Sequence, residues 1–163
     1  EREARIINSW GGNTYIKIPV MNTKGESTCS LINKLSNEGF SLNVTAVFTL
    51  SQVQEIFDNV SSTSKTIISI FAGRVADTGI DPIPLMKSAK EMISLNENCE
   101  LLWASPREAL NIIQAEECGC DIITATNDLI KKSSLFGKDL NEFSKETVLM
   151  FYNDAKSAGY KIT

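Results

Sequence analysis

The chain has 163 residues, enough for one domain with a sizeable core, and is 42% hydrophobic and 22% charged. A net charge of -4 argues against a general nucleic-acid partner, because no basic face is implied. Histidine is absent, which removes histidine triads and histidine-ligated metals, and no apolar run approaches the roughly 18 residues that a membrane span needs.

The opening residues, EREARIINSWGG, read as a helix that ends at Gly11 or Gly12. TYIKIPV, residues 14–20, reads as the first strand, with Lys17 set between apolar neighbours and Pro19 stopping the run. Residues 25–38 place Leu31, Ile32 and Leu35 on one helical face. SLNVTAVF, residues 41–48, is the second strand, and its N-V-T sequon at Asn43 is read as irrelevant to glycosylation because no secretory signal is seen. Residues 49–59 form a helix with Val53, Ile56 and Phe57 together and Thr49 or Ser51 as the N-cap. KTIISIFAG, residues 65–73, is the third strand. Residues 82–95 are a helix that starts with prolines, suited to a first turn. CELLWAS, residues 99–105, is the fourth strand. The next helix is expected over 106–118, with Ser105 as N-cap, Pro106 at the first position and Glu108 completing the cap. CDIITAT, residues 120–126, is the fifth strand, TNDLIKKS a short helix, and 140–158 a last helix ending at Gly159.

Strand and helix thus alternate five times, the pattern of a parallel sheet with helices against it. The strand runs are apolar on both parities, as expected of strands covered on both faces. Two architectures fit: an open flavodoxin-like sheet and part of an eight-stranded barrel. In both, chemistry belongs at the C-terminal ends of the strands. The four cysteines, Cys29, Cys99, Cys118 and Cys120, are scattered and complete no zinc set, so free thiols in a reducing cytosol are expected.

Polar side chains recur in or just after these strands: Lys17, Asn43 and Thr45, Ser69 and Arg74, Ser105 and Arg107, Thr124 and Thr126. Singly each has an ordinary explanation. Thr45 suits a strand, Ser105 a helix cap, Arg74 the surface, and Lys17 can reach past a strand end to water. Jointly they put one amine, two guanidinium groups and several hydroxyl or amide groups at one mouth. An amine buried beside arginines gives up its proton more readily and then attacks carbonyls to form Schiff bases. Two arginines suit a phosphate, which they grip with paired hydrogen bonds. The reading is a Schiff-base enzyme acting on phosphorylated sugars.

Five of these segments resemble, in order, motifs of the small transaldolases and their fructose 6-phosphate aldolase relatives. IKIPV resembles the lysine strand and NVTAVF the next strand with its Asn-x-Thr. ISIFAGRVAD is similar to the following strand, WASPRE to the Ala-Ser-x-Arg/Lys motif of the seventh strand, and GCDIIT to the eighth. The resemblance runs from Asn13 to Thr126 and departs from the family at Pro106. It implies an α/β fold of the (β/α)8 TIM-barrel family, with residues 1–163 a single partial domain covering about the fourth to eighth β/α units. The first three strands, which in the family carry an aspartate, an asparagine and a glutamate or glutamine, have no counterpart here.

The roles implied by the resemblance follow residue by residue. Lys17 is the Schiff-base lysine, Asn43 contacts the dihydroxyacetone unit, and Thr45 helps hold the catalytic water. Phe71 stands where transaldolases have Phe and the aldolase relatives tend to have Tyr. Ser69, Arg74, Ser105 and Arg107 line the phosphate end. The implied function is transaldolase, moving a dihydroxyacetone unit between sugar phosphates of the fructose 6-phosphate, sedoheptulose 7-phosphate and erythrose 4-phosphate class. Fructose 6-phosphate aldolase, or a fragment that binds sugar phosphate or assembles without turnover, are the alternatives. No cofactor, metal, nucleic acid or membrane is expected; the expected setting is the cytoplasm, in a homo-oligomer with the C-terminal helix packed on a neighbour.

Overall fold

The computed structural model describes residues 1–161. The residues form two compact units, Glu1–Thr126 and the segment from Asn127 onward. The first unit holds five strands, β1 (Ile16–Pro19), β2 (Leu42–Val47), β3 (Thr66–Ile70), β4 (Cys99–Trp103) and β5 (Ile122–Ile123). Its helices are α1 (Arg2–Asn8), α2 (Cys29–Asn37), α3 (Leu50–Asn59), α4 (Ala72–Asp77), α5 (Ile83–Ile93) and α6 (Leu110–Glu117).

All four strand pairings are parallel, and the sheet order is β1-β2-β3-β4-β5. That order decides between the two architectures left open by the pattern. A doubly wound sheet reverses its direction of growth at a switch point and so acquires helices on both faces. Here each strand is laid beside the last in one direction, so right-handed crossovers all return on one side. The result is an α/β fold with the arrangement of a stretch of TIM-barrel wall.

Packing follows that division. The main core joins Ile16, Ile18, Leu42, Val44, Ile68 and Leu101 to helix-borne residues such as Ile32, Ile56 and Met86. A second cluster of Ile67, Leu102 and Ala104, with Tyr15, Phe71 and Ile122 against it, lies on the opposite parity and includes no helical residue. The expectation of two helix-covered faces is therefore replaced by one helix-covered face and one lined by its own side chains. The apolar residues on both parities of β3 reflect this smaller second cluster.

Local chemistry sets the helix starts. Thr49 caps α3 in a capping box with Gln52, resolving the choice between Thr49 and Ser51. α2 starts at Cys29 rather than near residue 25, because Asn22 Oδ1 accepts from the N–H groups of Lys24 and Glu26 and folds that stretch into a turn. α6 starts at Leu110, not at Pro106. Ser105 is no cap: its φ is 62°, in the left-handed region. The N–H groups of Arg107 and Glu108 instead donate to the side chain of Asn111, at 2.7 and 3.1 Å. A side-chain acceptor within the helix thus competes with helix formation across residues 106–109.

The second unit comprises α7 (Asn127–Lys132), a 3-10 turn (Ser133–Leu135) and α8 (Leu140–Ser157). Asp139 caps α8 by accepting from the N–H groups of Asn141 and Glu142. No residue of α8 is buried, and Leu149, Phe151 and Tyr152 are all more than half exposed. No helix among the described residues is long and apolar enough to cross a membrane.

Candidate functional site

In β1 the pleat sends Ile16 and Ile18 into the helix-covered core and Lys17 to the other side. Lys17 pairs in register with Asn43 of β2, and Pro19 with Thr45. Neighbouring strands lie about 4.8 Å apart, so the Lys17 and Asn43 side chains rise side by side from one face. Lys17 is exposed rather than enclosed. The expectation of a buried amine is corrected on simple grounds: β1 is an edge strand, and that face of it is flanked by β2 alone.

β2 is irregular where it delivers its polar residues. The register shifts between Val44 and Val47, and Ala46 has φ 59°. This is a bulge, a device common beside functional sites. Asn43 is half-buried and accepts a 2.7 Å hydrogen bond from Ser69 Oγ of β3. Thr45 is buried, and its Oγ1 has no hydrogen-bond partner among the described residues. Ser69 itself is fully buried.

Beyond β3 the chain turns directly into α4, a short helix that the strand pattern did not anticipate. Phe71 sits at its start, half-buried, 5.7 Å from the ring of Phe48 and under the guanidinium of Arg74 at 5.2 Å. Gly73 is pressed against the end of β4. A Cβ there would lie 1.6 Å from the carbonyl oxygen of Ser105 and 3.4 Å from Arg107 Cγ. The first turn of α4 and the Ser105–Arg107 loop are therefore in direct contact, and the left-handed turn at Ser105 belongs to that contact. Ser105, Pro106 and Arg107 also line a cavity of about 320 Å³ with Thr124, Ala125 and Thr126 at the end of β5.

Arg107 and Arg74 are both exposed, but they are held differently. Arg107 Nε donates to both carboxylate oxygens of Asp77 at 3.0 Å, and its Nη2 also donates to Asp77. These hydrogen bonds hold the Asp77 carboxyl below its ordinary range, and the charges of Arg107 and then Arg74 push it the same way. The Arg107 guanidinium is correspondingly held above its ordinary value.

The predicted residues thus fall into two local groups, one across β1–β3 and one around the first turn of α4. Lys17 neighbours Asn43, Asn43 is bonded to Ser69, Phe71 lies under Arg74, and Gly73 links that corner to Ser105 and Arg107. Sequence reasoning missed Asp77 and Asn111, which hold Arg107 from its side chain and its backbone. The only sequence signal for Asp77 is its place three residues after Arg74, one turn along a helix too short to be read from periodicity.

Residues 1–162 match the family model described as Transaldolase/Fructose-6-phosphate aldolase. Among curated relatives, a protein of Streptococcus equi subsp. zooepidemicus named "Probable transaldolase" is 36% identical over 131 residues, covering 80% of this chain and 58% of that protein. One of Streptococcus agalactiae with the same name is 30% identical over 155 residues, covering 94% of this chain and 67% of its own length. A Listeria monocytogenes protein named "Probable transaldolase 2" is 33% identical over 131 residues, with 80% of this chain and 56% of the relative covered. The chain therefore spans roughly three-fifths of the length of the relatives it matches.

Proposed function

The chain belongs to the transaldolase/fructose-6-phosphate aldolase family, and from that premise we propose that it serves a transaldolase, transferring a dihydroxyacetone unit between sugar phosphates through a Schiff base on Lys17. The observation that carries this reading is the register of Lys17 with Asn43, which is itself oriented by Ser69. An amine that attacks a ketose carbonyl needs a neighbour to bind the hydroxyls of the unit it captures, and the amide of Asn43 is such a neighbour. Thr45, in register with Pro19 at the adjoining position, has a buried hydroxyl without a partner among the described residues, and the water that hydrolyses the Schiff base is assigned to it. Arg74 and Arg107, with Ser105, take the phosphate end, while Ser69, fully buried and bonded to Asn43, is moved from that end to the support of Asn43.

Phe71 favours transfer over cleavage, because its ring offers no proton to the bound carbon nucleophile. Homo-oligomer assembly is part of the proposal, supported by the exposed apolar residues of α8. So is a cytoplasmic setting, supported by the four free cysteines. One observation favours a second reading, a sugar-phosphate-binding piece without turnover: the Lys17 face is open to water.

The test is to incubate the protein with fructose 6-phosphate and borohydride, then map the adduct by mass spectrometry. A reduced adduct on Lys17, absent in Lys17→Met, is expected; no adduct, or one on another lysine, would overturn the Schiff-base reading. The Lys17→Met protein should keep its fold, with a stability change within about 0.5 kcal/mol, because the side chain is exposed. Product analysis with and without erythrose 4-phosphate then separates transfer from cleavage.

A further inference from the structure

From the way Asp77 meets Arg107 we infer that Asp77 is a positioning residue for the phosphate end: it fixes the Arg107 guanidinium side-on so that the end-on edge of the fork is left for an incoming phosphate. The inference rests on the proposed function for the identity of the anion.

A guanidinium has five N–H donors arranged along three edges. Asp77 occupies the edge made by Nε and Nη2. The second Nη2 donor and one Nη1 donor are not used by that contact, and these two form the end-on edge that pairs with two oxygens of one anion. A free arginine on an exposed loop must lose side-chain freedom each time it binds. Here part of that ordering is already complete. The backbone is held as well, because Asn111 Oδ1 accepts from the N–H groups of Arg107 and Glu108 and its Nδ2 donates to Gln114 at 2.8 Å. Asn111 is buried, so this anchor sits below the surface on which the guanidinium lies.

The same corner joins the second arginine. Asp77 ends the helix that begins beside Phe71 and carries Arg74, and the charge of Arg74 acts on the Asp77 carboxylate. A carboxylate bonded to one guanidinium and within the field of the other lowers their mutual repulsion while leaving two positive charges against one negative. A carboxylate that merely neutralised Arg107 would weaken anion binding. One that takes the side-on edge and leaves the end-on edge open strengthens it.

The experiment measures binding of inorganic phosphate by calorimetry at low ionic strength in the parent protein, Asp77→Ala, Arg107→Ala and the double variant, with thermal melting to verify each fold. Inorganic phosphate engages the anion corner without any chemistry at Lys17. The parent should bind. Asp77→Ala should weaken binding about fivefold to tenfold, and Arg107→Ala at least as much. The double variant should bind no worse than Arg107→Ala alone, since a positioning residue has nothing to act on once its arginine is gone. Asp77→Asn, which keeps an acceptor for Nε, should recover part of the loss. Unchanged or tighter binding by Asp77→Ala would overturn the inference, as would losses that multiply in the double variant or a parent that does not bind. If Asp77 governs phosphate binding but no Lys17 adduct forms, the Schiff-base reading falls and the positioning role stands.

Discussion

Ser69 Oγ donates a 2.7 Å hydrogen bond to Asn43 Oδ1 across the β2–β3 pairing. With its carbonyl oxygen engaged, the Asn43 amide has one orientation, and its Nδ2 donors are the groups left to face a ligand. Ser69→Ala should therefore act at two levels. The loss of one hydrogen bond from a fully buried hydroxyl should cost about 1 kcal/mol in urea unfolding. Turnover should fall by more than that stability loss implies, because Asn43 regains rotational freedom. Normal turnover in a folded Ser69→Ala protein would show that Asn43 needs no such support.

Gly73 is the position least able to change. A methyl group there meets the backbone carbonyl of Ser105, which cannot swing aside as a side-chain tip can. Gly73→Ala should destabilise by about 3 kcal/mol and disturb the Ser105–Arg107 loop. Thermal melting and phosphate affinity check both effects. A variant as stable as the parent would mean that α4 slides freely along β4.

For the proposed transfer reaction, Phe71→Tyr addresses the fate of the bound three-carbon unit. A hydroxyl on that ring would hydrogen-bond active-site water and help protonate the nucleophile, releasing dihydroxyacetone instead of passing it on. Assistance of this kind is worth about 10²–10⁴-fold, so even a partial effect should raise free dihydroxyacetone over transferred product at fixed acceptor. The prediction fails if the ratio stays put in a variant that still forms the Lys17 adduct.

The thiols of buried Cys99 and half-buried Cys120 set an alkaline limit. Burial pushes Cys99 up to about 11 and Cys120 up to about 12, from an ordinary 9.0. A thiol whose folded value lies above its unfolded one leaves the fold unaffected while both forms are neutral and works against it once the unfolded chain begins to ionise. Stability is thus fully present below about pH 9 and drains as pH rises toward 11–12. The unfolding midpoint should fall over that range, and the fall should shrink in a Cys99→Ala, Cys120→Ala protein compared with its own neutral value. Both cysteines should also resist iodoacetamide at pH 8 until urea is added.

Much of this architecture was written in local pattern. Alternation in IKIPV separates Ile16 and Ile18 from Lys17, and the 3.6 period of residues 49–59 marks Val53 and Ile56 as core. Strand order was not legible from period, because both candidate sheets use the same strands; only the ordered resemblance of five motifs pointed to the barrel. The α6 start was misplaced because S-P-R-E imitates a capping box while the acceptor that holds the loop, Asn111, lies inside the helix. Asp77 was overlooked because its partner Arg107 is 30 residues away. The exposure of Lys17 could not be read from its apolar neighbours, since they face the other side of the pleat.

The bulge at Ala46 works as a phase shifter. In an unbroken strand Thr45, Val47 and any third residue two further on would share a side, and Phe48 would fall with Val44 against the helices. The extra residue at φ 59° resets the count, so that Val47 is fully buried in the helix-side core while Phe48 meets the ring of Phe71 on the other side. Two consecutive turns of one strand can then supply the same face with a hydroxyl and an aromatic ring, at odd and even positions alike. Deleting one residue here would exchange the destinations of everything after it before α3 begins. Length at this point is thus a parity condition: the number of residues between Thr45 and Thr49 matters more than which side chain stands at 46.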